Sequence, residues 1–195
     1  MLVNIDNNIQ SLVRKISFLS ILIMSIVQSF SAEAQAETLD TININSVEMK
    51  HYKSEEWNFE LNIPKSWSVF PPNPKNSPFE VARFRKQGSE SNVLIIFRAP
   101  YDPKVPLSEI VDKTQMGLAK GNYGNFLKAT STVGSNEVAT LNFDKVKEDG
   151  VLWNFRGFFL VNGTLIYTLG FGTSDGDSMF ELFDKIAKSF VMLPE

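Results

Sequence analysis

Asn162-Gly163 stands between two runs of alternating apolar residues, and no other feature of the chain restricts its fold so sharply. Trp153, Phe155, Phe159 and Val161 lead into it, with Asn154 and Arg156 between the first of them. Leu165, Tyr167, Leu169 and Phe171 answer on the other side. Period-two alternation places a row of side chains on one face of a strand. Asn-Gly favours a two-residue type I′ turn, whose central residues both take positive φ. The pattern predicts an antiparallel hairpin. Asp149-Gly150 marks another, after one or two strands in the stretch from about Phe126 to Lys147, with Val138, Leu141 and Phe143 inward.

The same period runs through the earlier half. Trp57, Phe59, Leu61 and Ile63 alternate with Asn58, Glu60 and Asn62, and Pro64 ends that strand because proline cannot donate to a ladder. Trp67 and Val69 restart a strand after a Lys65-Ser66 corner. Phe79, Val81 and Phe84 carry the next, with Arg83 and Arg85 interleaved. The unbroken apolar run Val93 to Phe97 suits a strand buried on both faces. Two segments change to a helical period. In Leu107 to Lys120, Ile110, Val111, Met116 and Leu118 form the face, Ser108 is the candidate N-cap, and Gly121 and Gly124 stop the helix. Near the C-terminus, Phe180, Phe183, Ile186, Ala187 and Phe190 make an i, i+3, i+4 stripe behind the candidate caps Ser174, Asp175 and Asp177. Pro194 prevents continuation. Strands, helix, strands, helix, with hairpins between most strands, predicts a single α+β domain. Its antiparallel β-sheet is sandwiched by helices.

The first 36 residues read as an export signal. Arg14 and Lys15 precede the apolar run Ile16 to Val27, and Ala32, Ala34 and Ala36 supply a small-residue cleavage region. The run is 12 residues long, whereas a spanning helix needs roughly 20. A cleaved signal over residues 1–36 is the expectation, with the cut after Ala34 or Ala36; an uncleaved N-terminal anchor is the alternative. Export places the rest in the periplasm or outside the cell. Residues 37–50 are polar and irregular, a loosely structured lead into a domain over residues 51–195.

The chain has no cysteine, which removes disulfides, thiol chemistry and Cys-ligated metals. About 160 residues bury enough surface to stand without them, and 16 Phe and 3 Trp supply the core. With 19 basic against 22 acidic residues, there is no nucleic-acid footprint.

The stretch Tyr52 to Trp67, Y-K-S-E-E-W-N-F-E-L-N-I-P-K-S-W, resembles the opening of PsbP-like domains. There a Tyr and a Ser precede an aromatic-rich strand ending in a Pro-x-x-Trp corner. The C-terminal end is similar too: Ile166-Tyr167 on a late strand, then a helix with Phe183 and Ile186 closing on Ser189-Phe190. The resemblance runs from about residue 50 to about residue 193. It implies an antiparallel sheet between helices and little chemistry. Members include an extrinsic subunit on the lumenal side of photosystem II, a Ran-binding protein and bacterial envelope proteins. They share a scaffold for docking, and fold alone does not fix function. The roles implied for the matched residues are core and corner: Phe59, Leu61 and Ile63 inward, Pro64 ending the strand, Trp67 and Phe190 filling the space under the helices.

Candidate chemistry is sparse. His51 is the only histidine, with Glu48, Glu55 and Glu56 as the nearest acids in a poorly patterned region. No Ser-His-Asp spacing follows from it. Asp175, Asp177 and Glu181 lack the calcium-loop pattern, and helix capping accounts for them. Glu55 with Glu56, and Asp144 with Glu148 and Asp149, read as solvated turn acids. Gly170, Gly172 and Gly176 lack phosphate-loop spacing. The proline-rich loops Pro71–Pro78 and Pro100–Pro106 are the docking candidates, with Pro72, Pro74 and Tyr101 as contact residues. Prolines lower the cost of ordering a surface loop, and a tyrosine can anchor a partner.

These observations lead us to expect an exported, non-enzymatic accessory or assembly factor. It would dock to an envelope or membrane protein complex and use no cofactor. The alternative is a small-ligand or lipid carrier with an apolar pocket between sheet and helices. A hydrolase lacks a nucleophile–base pair. Oligomeric state is left open.

Overall fold

The computed structural model describes residues 46–75, 77–133 and 136–194. The expected export segment, with Ala32, Ala34 and Ala36, lies outside the described residues.

Three strands form a small antiparallel sheet in the order β1-β2-β10: β1 (Met49–Ser54), β2 (Phe59–Pro64) and β10 (Val191–Met192). Seven more form the main sheet: β3 (Trp67–Phe70), β4 (Glu80–Lys86), β5 (Asn92–Pro100), β6 (Gly124–Val133), β7 (Asn136–Val146), β8 (Leu152–Asn162) and β9 (Leu165–Thr173). Their order is β3-β4-β5-β9-β8-β7-β6, all antiparallel. Helix α1 (Leu107–Lys120) covers one face of the main sheet. Helix α2 (Met179–Lys188) and the small sheet cover the other. The α+β architecture matches the sequence reading; the small sheet and β10 are additions to it.

Two apolar clusters fill the two interlayer spaces. Under α1, Val93, Ile95 and Phe97 meet Ile110, Val111, Leu118, Leu141, Phe143, Phe155 and Phe159. Under α2, Phe59, Leu61, Ile63 and Trp67 meet Leu94, Ile96, Tyr167, Phe171, Phe183 and Phe190. The run Val93 to Phe97 is fully buried because its side chains feed both clusters alternately.

The central hairpin differs from expectation by one residue of turn. Asn162 pairs with Leu165, so Gly163-Thr164 is the two-residue loop. Gly163 has φ 58° and Thr164 is not in the left-handed region. A single positive φ at the first central position fits type II′, not I′. This register also separates the two apolar rows. Phe159 lies opposite Thr168, and Leu160 opposite Tyr167. The Trp153–Phe159 row therefore faces α1, and the Tyr167–Phe171 row faces α2.

Several local expectations are corrected. β2 starts at Phe59, not Trp57, because Asn58 takes φ 52° and closes the β1–β2 turn. Met49 and Lys50 belong to β1, not to an irregular lead. Pro106, not Ser108, is the N-cap of α1, at φ −58°, the proline ring's own value. Met116 on that helix is exposed. α2 is entered through Ser178, with no side-chain cap. Asp175 instead accepts hydrogen bonds from Ser91 Oγ at 3.1 Å and Asn92 Nδ2 at 2.5 Å, tying β5 to the end of β9.

The matched motif residues occupy definite places. Pro64-Lys65-Ser66-Trp67 is the corner where the chain leaves the small sheet for the main one. Lys50 Nζ clamps it, donating to Lys65 O at 3.2 Å and Trp67 O at 2.5 Å. Tyr52 meets Phe84 edge-on at 5.0 Å, and Phe59 stacks on Phe190 at 5.5 Å. Ser189 joins α2 to the small sheet: its Oγ accepts the Asn62 N–H at 2.8 Å and donates to Ile186 O at 2.7 Å. Ser189→Ala leaves two backbone groups without this partner. We expect a loss of about 1–2 kcal/mol in urea unfolding, with faster amide exchange at Asn62. A cost below about 0.3 kcal/mol would mean that water replaces the hydroxyl freely.

Candidate functional site

The sheet register gathers the proline-rich loops at one end of the molecule. Phe70 ends β3 there, Glu80 starts β4, and Pro100 ends β5 opposite Leu165. The β3–β4 loop, the β5–α1 loop and the Gly163-Thr164 turn are thus neighbours, and Tyr101 N–H bonds Thr164 O at 2.7 Å. The β1–β2 turn joins them. Tyr167 Oη donates to Trp57 O at 2.8 Å, Arg98 Nε donates to Tyr167 Oη at 3.1 Å, and the Arg98 guanidinium lies 5.9 Å from the centre of the Trp57 ring.

A buried ion pair organises the β3–β4 loop from beneath. Arg83 Nε and Nη2 donate to the two Glu80 carboxylate oxygens at 2.8 Å each. The Glu80 side chain is 0% exposed and that of Arg83 8%. Glu80 Oε1 also accepts the Asn73 N–H at 3.1 Å, so the buried carboxylate holds the loop backbone directly. No sequence motif marks Glu80 and Arg83 as a pair. On a regular strand, residues three apart face opposite sides. A register shift between Glu80 and Ala82 brings both onto one face.

Between the β1–β2 turn and the proline loop lies a cleft of about 280 Å³. Tyr52, Ser54, Glu56, Trp57, Phe70 and Pro72 contribute to its lining. Of the proposed contact residues, Pro72 lines this cleft and Pro74 is exposed in the adjoining turn. Tyr101 is elsewhere: its ring packs toward the α1 cluster and its hydroxyl donates to Val105 O at 2.7 Å. Of the cleft's aromatic members, the sequence pattern places Trp57 on a strand and Tyr52 in the motif ahead of it, and gives Phe70 no part. Only the packing of the small sheet against β3 and β4 brings them together.

The other candidates stay apart. His51 is exposed, with Nδ1 3.3 Å from Asn62 Oδ1 and Nε2 3.5 Å from Glu60. Among the described residues, no group of three or more His, Cys, Asp or Glu could hold a metal ion. No helix among them is long and apolar enough to cross a membrane. Asp144 meets Asn125, Glu181 and Asp177 sit at the start of α2, and the space under α2 is filled by the Phe171–Phe183 stack at 4.6 Å.

Among the described residues, two groups carry shifted pKa values, both at the opposite end. Burial lowers that of Lys147, whose ammonium lies 3.9 Å from the centre of the Trp153 ring; Asp149 and Glu90 partly offset the shift. Burial pushes the Tyr123 phenol well above its ordinary value. The folded chain therefore keeps the Tyr123 proton where the unfolded chain, titrating near about pH 10, releases it. That contribution is intact below about pH 10 and is lost as pH rises further. We expect Tyr123→Phe to flatten the alkaline fall in stability, measured as Tm from pH 8 to pH 12. An unchanged alkaline limb would place the titration elsewhere.

No family model matches the sequence, and no curated protein does. Solved structures match its fold. Cyanobacterial PsbP from Synechocystis sp. PCC 6803 aligns with a TM-score of 0.60 at 18% identity, over 75% of this chain and 93% of that one. The Ran-binding protein Mog1p of Saccharomyces cerevisiae gives 0.54 at 9%, over 76% and 97%. LpqN of Mycobacterium tuberculosis, involved in cell envelope biogenesis, gives 0.52 at 14%, over 83% and 100%. At such identities the likeness is one of fold, and the chain has the PsbP-like fold.

Proposed function

We propose that this chain is an exported, non-enzymatic accessory or assembly factor that docks to an envelope or membrane protein complex through the loop end of its main sheet. The observation that carries this reading is the convergence of the β1–β2 turn, the proline-rich β3–β4 loop and the β5–α1 loop at that end. Prolines and a buried ion pair order this surface before any partner arrives, which reduces the entropy lost on association. The envelope role of LpqN and the protein-binding role of Mog1p, on the same fold, lend support. Export rests on the N-terminal signal pattern, and the domain includes β1 from Met49.

The test is capture of the tagged full-length chain from intact envelopes after crosslinking, read by mass spectrometry. Intact mass of the same sample reports the cut, with Gln35 or Glu37 as the new N-terminus. The expected result is one reproducible membrane-complex partner. Turnover of a substrate in an activity panel, abolished by a point substitution, would overturn the reading. A lipid retained near one-to-one would favour the carrier instead.

A further inference from the structure

Resting on the docking reading, we propose that the cleft beside Trp57 receives an arginine or lysine side chain presented by an extended segment of the partner protein. Its size argues for one side chain. At about 280 Å³ it falls below the roughly 300–1,000 Å³ of small-molecule sites. Its charge argues for a cation. Glu56 is the only charged residue of the lining, it is exposed, and it has no ion-pair partner among the described residues. The arginines that lie against Phe70 and Trp57 are themselves held within the chain, Arg85 by Glu90 at 3.2 Å and Arg98 on the Tyr167 hydroxyl.

Its walls argue for the same guest. Tyr52, Trp57 and Phe70 contribute to them, and aromatic rings attract guanidinium and ammonium groups. Two of these rings already do so within the chain, Phe70 with Arg85 at 4.2 Å and Trp57 with Arg98 at 5.9 Å. Pro71 and Pro72 complete a stiff rim against which an extended, proline-flanked segment can lie without disturbing secondary structure.

The test titrates the mature chain with acetyl-Pro-Pro-Arg-Pro-amide and with the same peptide carrying citrulline, at low and high salt. Trp57 fluorescence reports binding, since Trp67 and Trp153 are buried. The arginine peptide should bind about three- to fivefold more tightly at low salt, the range an exposed ion pair supplies. High salt and Glu56→Gln should each erase that preference while citrulline binding persists. Equal binding of the two peptides, or no response to either, would overturn the assignment. So would a response to phosphatidylcholine vesicles in place of peptide. In the envelope capture, a partner recovered while the arginine and citrulline peptides bind equally would sink this assignment and leave the docking reading standing. Capture of no partner would sink the docking reading and this assignment with it.

Discussion

Arg83→Ala is expected to cost about 3–5 kcal/mol, because it strands the Glu80 carboxylate in a site that excludes water. The pair is bidentate, both oxygens are engaged, and the Glu80 side chain has no exposure at all. Removing one partner leaves a buried charge that must be desolvated without compensation. Replacing both is a different experiment. Glu80→Leu with Arg83→Met removes both charges and should recover most of the loss, since buried pairs and apolar substitutes of like size are often near equal. Equilibrium urea unfolding of the three proteins measures this. The double variant carries a further signature. Without Glu80 the Asn73 N–H loses its acceptor, so hydrogen exchange should quicken in the β3–β4 loop even where global stability returns. If Arg83→Ala costs under about 1 kcal/mol, the pair is solvated and does not order the loop.

Phe183→Ala is expected to cost a similar amount, about 3–5 kcal/mol, for an apolar reason. Phe183 has 0% exposure and stacks on Phe171, which itself meets Phe158 edge-on at 5.7 Å. Truncation opens a cavity between α2 and the main sheet that neighbouring rigid rings cannot close. Phe180, one turn earlier, is the control. It is half-buried and lies under the Arg156 guanidinium at 4.3 Å. Its truncation should cost about 1 kcal/mol. Comparable losses at both positions would mean that α2 is held by its length of contact and not by the Phe171–Phe183 stack.

Much of this fold is legible in the sequence because its signals are local. Alternation at Phe59–Ile63 and Trp153–Val161, glycine at the hairpin turns and the Phe183, Ile186, Ala187, Phe190 stripe each state a period within one element. What escaped depends on pairing between distant segments. β10 has only two residues, too few for a period, and exists because β2 offers an edge to Val191 and Met192. The division into two sheets turns on the corner at Pro64–Trp67, which reads from sequence as an ordinary turn. The Glu80–Arg83 pair needs a bulge that no residue type announces. The cleft is the extreme case. Tyr52 and Trp57 come from one sheet and its turn, Phe70 and Pro72 from the other sheet and its loop. Their proximity is a property of layer packing alone.

The central claim is that this chain docks through the loop end of its main sheet, and site-specific photo-crosslinking in intact envelopes tests it most directly. One variant carries a photo-crosslinking amino acid at position 72 in the proline loop, the other at position 116 on the exposed face of α1. The account predicts one reproducible membrane-complex partner crosslinked from position 72 and none from position 116. A partner captured from position 116 and not from position 72 would contradict it.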